Sequence, residues 1–198
     1  MNWLESREGI ATAGEVEAED LGLGEHGVRY KPSGWLVLRR ALRPRDVGPE
    51  DVFLDLGCGK GRVVCQAATR YRFRRVLGVD ASAVMVGAAA RNVEATRDRH
   101  ITPEVTIVHA DVTAYAVPDD VTVVYLYNPF VGPVFAEAVR ALVESQQRRP
   151  RRIRVVYATP IEERALVDAG FRLVRRHRGW RPGKEWSRSN AIAVFERR

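Results

Sequence analysis

Cysteine, lysine and long apolar runs are scarce in this chain, and each scarcity excludes something. Its two cysteines, Cys58 and Cys65, are separated only by a glycine-rich turn and the start of a helical stretch. Neither a disulfide framework nor a zinc-ligand spacing can be built from them, and a reducing compartment, the cytoplasm, is expected. The longest small-apolar stretch, Ala83 to Ala90, falls far short of the ~20 residues a spanning helix needs. The acidic opening Met1-Asn2-Trp3-Leu4-Glu5 lacks the basic start of a signal peptide, so neither membrane nor secretion is expected. The histidines His26, His100, His109 and His177 show no ligand spacing, and no metal site is expected.

Lysine contributes only 3 of the 32 basic residues; the other 29 are arginine, and against 25 acids they leave a net charge of +7. Such a balance admits an acidic partner such as nucleic acid. Arginine in place of lysine, beside abundant Ala and Val, fits a compositional bias better. The densest basic cluster, Arg148, Arg149, Arg151, Arg152 and Arg154, lies between a predicted helix and a predicted strand. It reads as a solvated loop, and no aromatic RNA-binding signature accompanies it.

What the chain does contain is a packed core. Hydrophobic residues make up 45% and charged residues 29% of 198 residues, which suits one globular unit and is too apolar for disorder. Residues 1–50 are acidic around Glu15 to Asp20, then amphipathic across Trp35, Leu36, Leu38 and Leu42, as in a short helix. They read as an N-terminal helical extension or lid on a single unit spanning 51–198.

From Val52 onward, short apolar runs alternate with helical stretches, which implies an α/β fold with a parallel sheet and helices on both faces. The expected strands are Val52 to Leu56, Arg75 to Val79, Val105 to Val108, Val121 to Tyr127, Ile153 to Ala158, Arg172 to Arg176 and Ala191 to Glu196. Helices are expected over Gly61 to Arg70, Ala83 to Arg97, Val134 to Gln147 and Ile161 to Ala169, with Gly170 as a C-terminal cap. Gly179 to Ser189 shows no helical periodicity, so the last two strands should pair antiparallel. The fold class is therefore a doubly wound, mostly parallel seven-stranded sheet with an antiparallel last strand.

The strongest local signal is Val52-Phe53-Leu54-Asp55-Leu56-Gly57-Cys58-Gly59-Lys60-Gly61: a buried strand running into glycines at alternate positions and then a helix. Glycine can take φ > 0, and without a Cβ it lets backbone N–H groups approach a polar ligand at a helix start. After the next strand, Gly78-Val79-Asp80 places a carboxylate where it could grip both hydroxyls of a ribose, at the point where strand order reverses.

These residues resemble the class I, Rossmann-like S-adenosylmethionine-dependent methyltransferases over roughly Val52 to Phe195. Asp55, Gly57, Gly59 and Gly61 match the family's acid-x-Gly-x-Gly-x-Gly pattern, which implies a loop, including Cys58, around the cofactor's methionine and ribose portion. Asp80, followed by Ala81, matches the ribose-binding acid. In His109-Ala110-Asp111-Val112, Asp111 matches the acid that accepts a hydrogen bond from the adenine amine, with Val112 beside it. Tyr127-Asn128-Pro129-Phe130 is similar to the Asn/Asp-Pro-Pro-aromatic motif of amino-group methyltransferases, with one proline missing. That motif implies an Asn128 side-chain oxygen orienting a target nitrogen, with Tyr127 or Phe130 beside the passing positive charge. The other reading has Pro129 ending the strand and Phe130 packing under the next helix. Tyr30, in Tyr30-Lys31-Pro32-Ser33-Gly34-Trp35, either folds over the cofactor as a lid or belongs to a packed turn. Trp180 and Trp186 either wall an acceptor pocket or anchor a hairpin.

The resemblance implies methyl transfer from S-adenosylmethionine, leaving S-adenosylhomocysteine, to a nitrogen of a small molecule or protein side chain. An RNA acceptor is admitted by the charge but not favoured. A nicotinamide-dependent dehydrogenase fits less well, since the dinucleotide fingerprint wants its third glycine at position 62, which is arginine. A methyltransferase fold with other chemistry, such as aminopropyl transfer, or with cofactor binding alone remains as a third reading.

Overall fold

The computed structural model describes residues 3–21, 28–177 and 191–198. His26, and the segment holding Trp180 and Trp186, lie outside the described residues. Seven strands form one sheet: β1 (Val52–Leu56), β2 (Arg75–Asp80), β3 (Glu104–His109), β4 (Val123–Tyr127), β5 (Ile153–Ala158), β6 (Arg172–His177) and β7 (Ile192–Arg197). Their spatial order is β3-β2-β1-β4-β5-β7-β6. Neighbours from β3 to β5 are parallel, and β7 is antiparallel to both β5 and β6.

Strands β1, β4 and β5 are Val-, Ile- and Leu-rich and buried on both faces, as the middle of a parallel sheet must be. One face, through Leu54, Leu56, Val124 and Val155, packs on helices α5 (Pro133–Arg148) and α6 (Glu163–Asp168) by way of Phe135, Leu142 and Leu166. The other, through Phe53, Val76, Tyr125 and Val156, packs on α2 (Val37–Ala41), α3 (Arg62–Arg70) and α4 (Ala83–Ala95) by way of Leu38, Val64, Ala67 and Ala89. A further short helix, α1 (Trp3–Glu8), opens the chain.

Helix α6 ends as its sequence signalled. Gly170 has φ +85°, its N–H donates to Val167 O at 2.9 Å, and the Phe171 N–H donates to Leu166 O at 2.9 Å. This pair of bonds is a Schellman motif, with Phe171 and Leu166 both buried beside it. Each strand and each of α3 to α6 lies within two residues of its expected bounds. The antiparallel pairing of β6 and β7 is likewise as expected, whereas the seating of β7 between β5 and β6 was not signalled by the sequence.

The arginine cluster after α5 is largely not a free loop. Arg151 donates to Val121 O at 2.6 Å and Ser145 O at 2.9 Å, Arg148 pairs with Asp119, and Arg154 pairs with Glu196. Three of the five guanidiniums thus tie the loop before β4, α5 and the β5–β7 pair together. They do so at the amino edge of the parallel strands, and they are spent on protein acceptors instead of phosphates.

Candidate active site

The strand order reverses between β1, whose chain continues toward β2, and β4 on its other side. At such a reversal the connections leave in opposite directions and open a crevice at the carboxyl edge. A cavity of about 480 Å³ occupies that crevice. Asp55, Gly57, Cys58, Gly59, Asp80, Ala81, Asp111 and Val112 line it from β1, β2 and β3, Tyr127, Asn128, Pro129 and Phe130 from β4, and Tyr30 from the N-terminal segment.

The glycine loop is built differently from the sequence expectation in one respect. The N–H groups of Gly57 and Cys58 both donate to Val79 O, at 2.9 and 3.0 Å, and the Gly59 N–H donates to Asp80 Oδ2 at 2.8 Å. These amides therefore hold the loop to the end of β2 instead of pointing at a ligand. The glycines serve close approach: Gly57, at φ +75°, lies where a Cβ would meet the Pro129 Cβ at 2.2 Å. Gly59, at φ +54°, lies where a Cβ would meet the Tyr30 ring at 2.4 Å. Gly61, expected among the cofactor residues, does not line the cavity; it precedes α3 with φ +77°, packed against Ala89 of α4. Its smallness serves helix packing.

Two carboxylates meet under this loop. Asp55, at 3% exposure in an otherwise apolar strand, has its carboxyl pushed well above the ordinary value of 3.8 by burial and by the neighbouring Asp80. Asp80 is also raised by burial, against the opposing hydrogen bonds from the Ser82 N–H (3.0 Å) and Gly59 N–H. Asp111 reaches the cavity wall while its Oδ1 accepts from the Thr113 N–H and hydroxyl, both at 2.8 Å. The Cys58 thiol is pushed well above its ordinary value by burial, so it stays protonated and is no nucleophile. Cys65, also buried, is pushed up to about 11.

The β4 corner is strained. Asn128 has φ +43°, and its Oδ1 is buried without a hydrogen-bond partner. A buried carbonyl left unpaired costs about 1–3 kcal/mol, so such an atom at a cavity wall is poised for a donor on a ligand. Pro129 packs over Gly57, and Phe130 contacts Phe135 of α5 with centroids 6.1 Å apart while still lining the cavity. The packing reading and the site reading of this turn thus share the same residues.

Sequence reasoning missed Thr159, just after β5, which lines the cavity at φ +56°. Positive φ is rare for a β-branched residue, and the following Pro160 restricts it further. A Thr-Pro pair directly after a central parallel strand was the available signal. Arg62, Ser33 and Tyr125 were missed as well. Among the described residues no group of three His, Cys, Asp or Glu could hold a metal, and no helix is long and apolar enough to cross a membrane.

With the crevice, the glycine loop and the strand-end acids in place, residues 53–148 match the family described as "Methyltransferase domain". That match spans a little under half of the chain, and the seven-stranded, mostly parallel sheet around it is the fold that the solved structures below share. The chain is 34% identical over 67 residues to a protein-lysine N-methyltransferase of Saccharolobus islandicus (strain REY15A), an alignment covering 34% of this chain and 42% of that protein. The chain thus spans less than half the length of this curated relative. An RNA methyltransferase from Salinibacter ruber, solved with S-adenosylhomocysteine, superposes with a TM-score of 0.55 at 20% identity, over 84% of this chain and 92% of that one. Precorrin-8w decarboxylase from Methanobacterium thermoautotrophicum superposes with a TM-score of 0.57 at 22% identity, over 84% and 91%. These two show the shared fold.

Proposed function

We propose that this chain binds S-adenosylmethionine in the crevice and transfers its methyl group to a nitrogen of a protein side chain or small molecule. One observation carries the reading: the loop at 57–59, Asp80, Asp111 and the Tyr127–Phe130 turn come from four separate strand ends and line one cavity. The residues suit that cofactor, which brings cationic groups, a ribose and an adenine. Asp55 and Asp80 supply buried carboxyl groups, the Cβ-free surface of Gly57 and Gly59 admits close approach, and Asp111 offers an acceptor. Each oxygen of Asp80 keeps a lone pair beyond its backbone bond, enough for a ribose hydroxyl.

When bound, the cofactor supplies a methyl group already activated on a sulfonium sulfur, so the protein's task is holding, aligning and excluding water. Asn128 Oδ1 accepts a hydrogen bond from the target N–H and aims the nitrogen lone pair. The rings of Tyr127 and Phe130 stabilise the positive charge that appears on that nitrogen. The protein-lysine N-methyltransferase relative and the unpaired Asn128 oxygen both favour a nitrogen acceptor. Two free, buried thiols suit a reducing cytoplasm.

Calorimetric titration with S-adenosylmethionine, S-adenosylhomocysteine and NAD tests the cofactor. Wild type is expected to bind the first two and not NAD, and Asp80→Ala to lose about tenfold to a hundredfold in affinity, as removal of a charge-assisted contact does. Tight NAD binding would overturn the reading. For the acceptor, Asn128→Ala should keep cofactor affinity and lose about a hundredfold or more in kcat, the scale of removing one preorganised polar contact to the reacting group. Turnover at the wild-type rate would remove Asn128 from the chemistry. The net charge of +7 supports an RNA acceptor as the second reading; it predicts acceptor affinity that falls steeply with salt, whereas a small acceptor shows little slope.

A further inference from the structure

The residue that breaks the dinucleotide fingerprint has a second occupation. Arg62 is the first residue of α3, directly after the glycine loop, and is 8% exposed. Its three nitrogens reach three different points of the N-terminal segment: Nε donates to Thr12 Oγ1 at 2.7 Å, Nη1 to Ser33 O at 2.8 Å and Nη2 to Glu5 Oε1 at 3.1 Å. The guanidinium carbon lies over the Trp35 ring, 4.5 Å from its centroid. Glu5, 1% exposed, also accepts from the Thr12 N–H and hydroxyl, both at 2.7 Å. Burial opposes its ionisation, but these bonds and the Arg62 charge outweigh burial and hold the carboxyl below its usual range.

Two of the partners of Arg62, Thr12 and Ser33, also touch a residue of the cavity wall. The carbonyl of Thr12 accepts from the Tyr30 hydroxyl at 2.7 Å, and the Tyr30 ring covers Gly59. Ser33 Oγ shares a 2.5 Å hydrogen bond with the Tyr125 hydroxyl, and both line the cavity. A buried ion pair is seldom worth more than an apolar cluster of the same volume, yet breaking one partner away is costly. It therefore favours two states, fastened or released, over a graded range of positions.

We propose that Arg62 is a positioning residue that latches the N-terminal segment across the glycine loop, and that this latch retains the cofactor. The proposal rests on the crevice being the S-adenosylmethionine site. Arg62 touches the loop through the chain and the wall through Thr12 and Ser33, so fastening the segment and shaping the cavity are one event. Affinity then scales with the fraction of molecules whose latch is closed.

The test uses the full chain with Glu5→Gln, Arg62→Gln, the double variant and the milder Thr12→Val. Stopped-flow chase gives the S-adenosylmethionine dissociation rate, read beside calorimetric affinity and thermal midpoint. A latch open nine times in ten raises the dissociation constant about tenfold. That shift is expected for Glu5→Gln and Arg62→Gln, carried by faster dissociation, with a smaller one for Thr12→Val. With acceptor turnover, KM for the cofactor rises accordingly while kcat falls less than about twofold. The double variant should release cofactor no faster than Arg62→Gln, since both substitutions open one latch. Lowered thermal midpoints with wild-type dissociation rates would make the cluster merely structural and overturn the proposal, as would fully additive effects in the double variant. Should wild type itself fail to bind S-adenosylmethionine, the methyl-transfer reading falls and this one with it. Normal wild-type binding with unchanged variants sinks the latch alone.

Discussion

Alanine at position 57 is expected to cost the protein about 2–5 kcal/mol of stability and nearly all of its cofactor affinity. A non-glycine residue in the left-handed region costs about 1–2 kcal/mol, and forcing a methyl into a filled space costs about 1–3 kcal/mol more. Here the methyl would sit 2.2 Å from the Pro129 Cβ, so the proline must move or the loop must leave Val79. Moving Pro129 displaces Asn128 at its already strained φ of +43°; moving the loop releases the bonds that tie it to β2. Cofactor affinity and turnover should therefore fall together, unlike in Asn128→Ala. Gly132→Ala supplies the control: its φ is +60°, but nothing lies within 4 Å of the added methyl. With ψ at -132° it lies in a region essentially reserved for glycine, so it should cost about 1–3 kcal/mol of stability and still leave binding unchanged. Thermal melts beside calorimetric titrations decide the matter. Gly57→Ala binding as tightly as wild type would show that the Gly57–Pro129 contact does not shape the site.

Asp55→Asn should do the opposite for stability. Asp55 binds its proton more tightly when folded than when unfolded, because burial and then the Asp80 charge raise its pKa well above 3.8. The folded state therefore holds more protons than the unfolded state, and stability falls as pH climbs from 3.8 through the raised value. Asparagine does not ionise and is spared that loss. The variant should gain on wild type as pH rises through that raised value, each ~1 kcal/mol of gain being worth about 2–4 °C in Tm in a chain of this length. Its cofactor affinity should drop, since a carboxyl that lines the cavity and can carry negative charge there has gone. Wild-type affinity should itself weaken as pH falls and Asp55 and Asp80, both raised, take up protons. A variant that loses stability relative to wild type between pH 5 and pH 8 would contradict this account. Greater stability with poorer binding is the trade expected where a site holds unpaired charge in readiness for a ligand.

Local signals made much of this protein legible. The burial of β1, β4 and β5 on both faces shows in sequence as near-continuous apolar runs, interrupted only by Asp55 and Arg154, so their bounds could be read without knowing their neighbours. Gly57, Asp80, Asp111 and Asn128 stand out in the sequence because each ends or closely follows a strand, and Asp55 because it interrupts one, and strand ends converge wherever a parallel sheet reverses its order. For Gly61 the sequence could not separate a ligand-facing turn from close packing, because φ > 0 and close packing look alike in a sequence. Whether the third glycine faces a ligand or Ala89 depends on where α4 comes to lie. Arg62 was read only as a mismatch to a fingerprint, since its partners Glu5, Thr12 and Ser33 stand 57, 50 and 29 positions earlier. Arg151 looked solvated because its carbonyl acceptors are invisible in a string of side-chain letters, and Arg148 and Arg154 because their carboxylate partners, Asp119 and Glu196, lie far off in the chain.

The chain's letters alone determined the alternation of strands and helices, the glycine turn after β1, the acid that ends β2 and the acid after β3, because these depend on backbone freedom and burial within short windows. Only the tertiary structure decided that β7 enters between β5 and β6, that the loop amides bond back to β2, and that the first thirty-five positions supply part of the cavity wall. Those outcomes rest on hydrogen bonds and contacts between residues far apart in the chain. Their energies depend on separations that exist only after the sheet has formed.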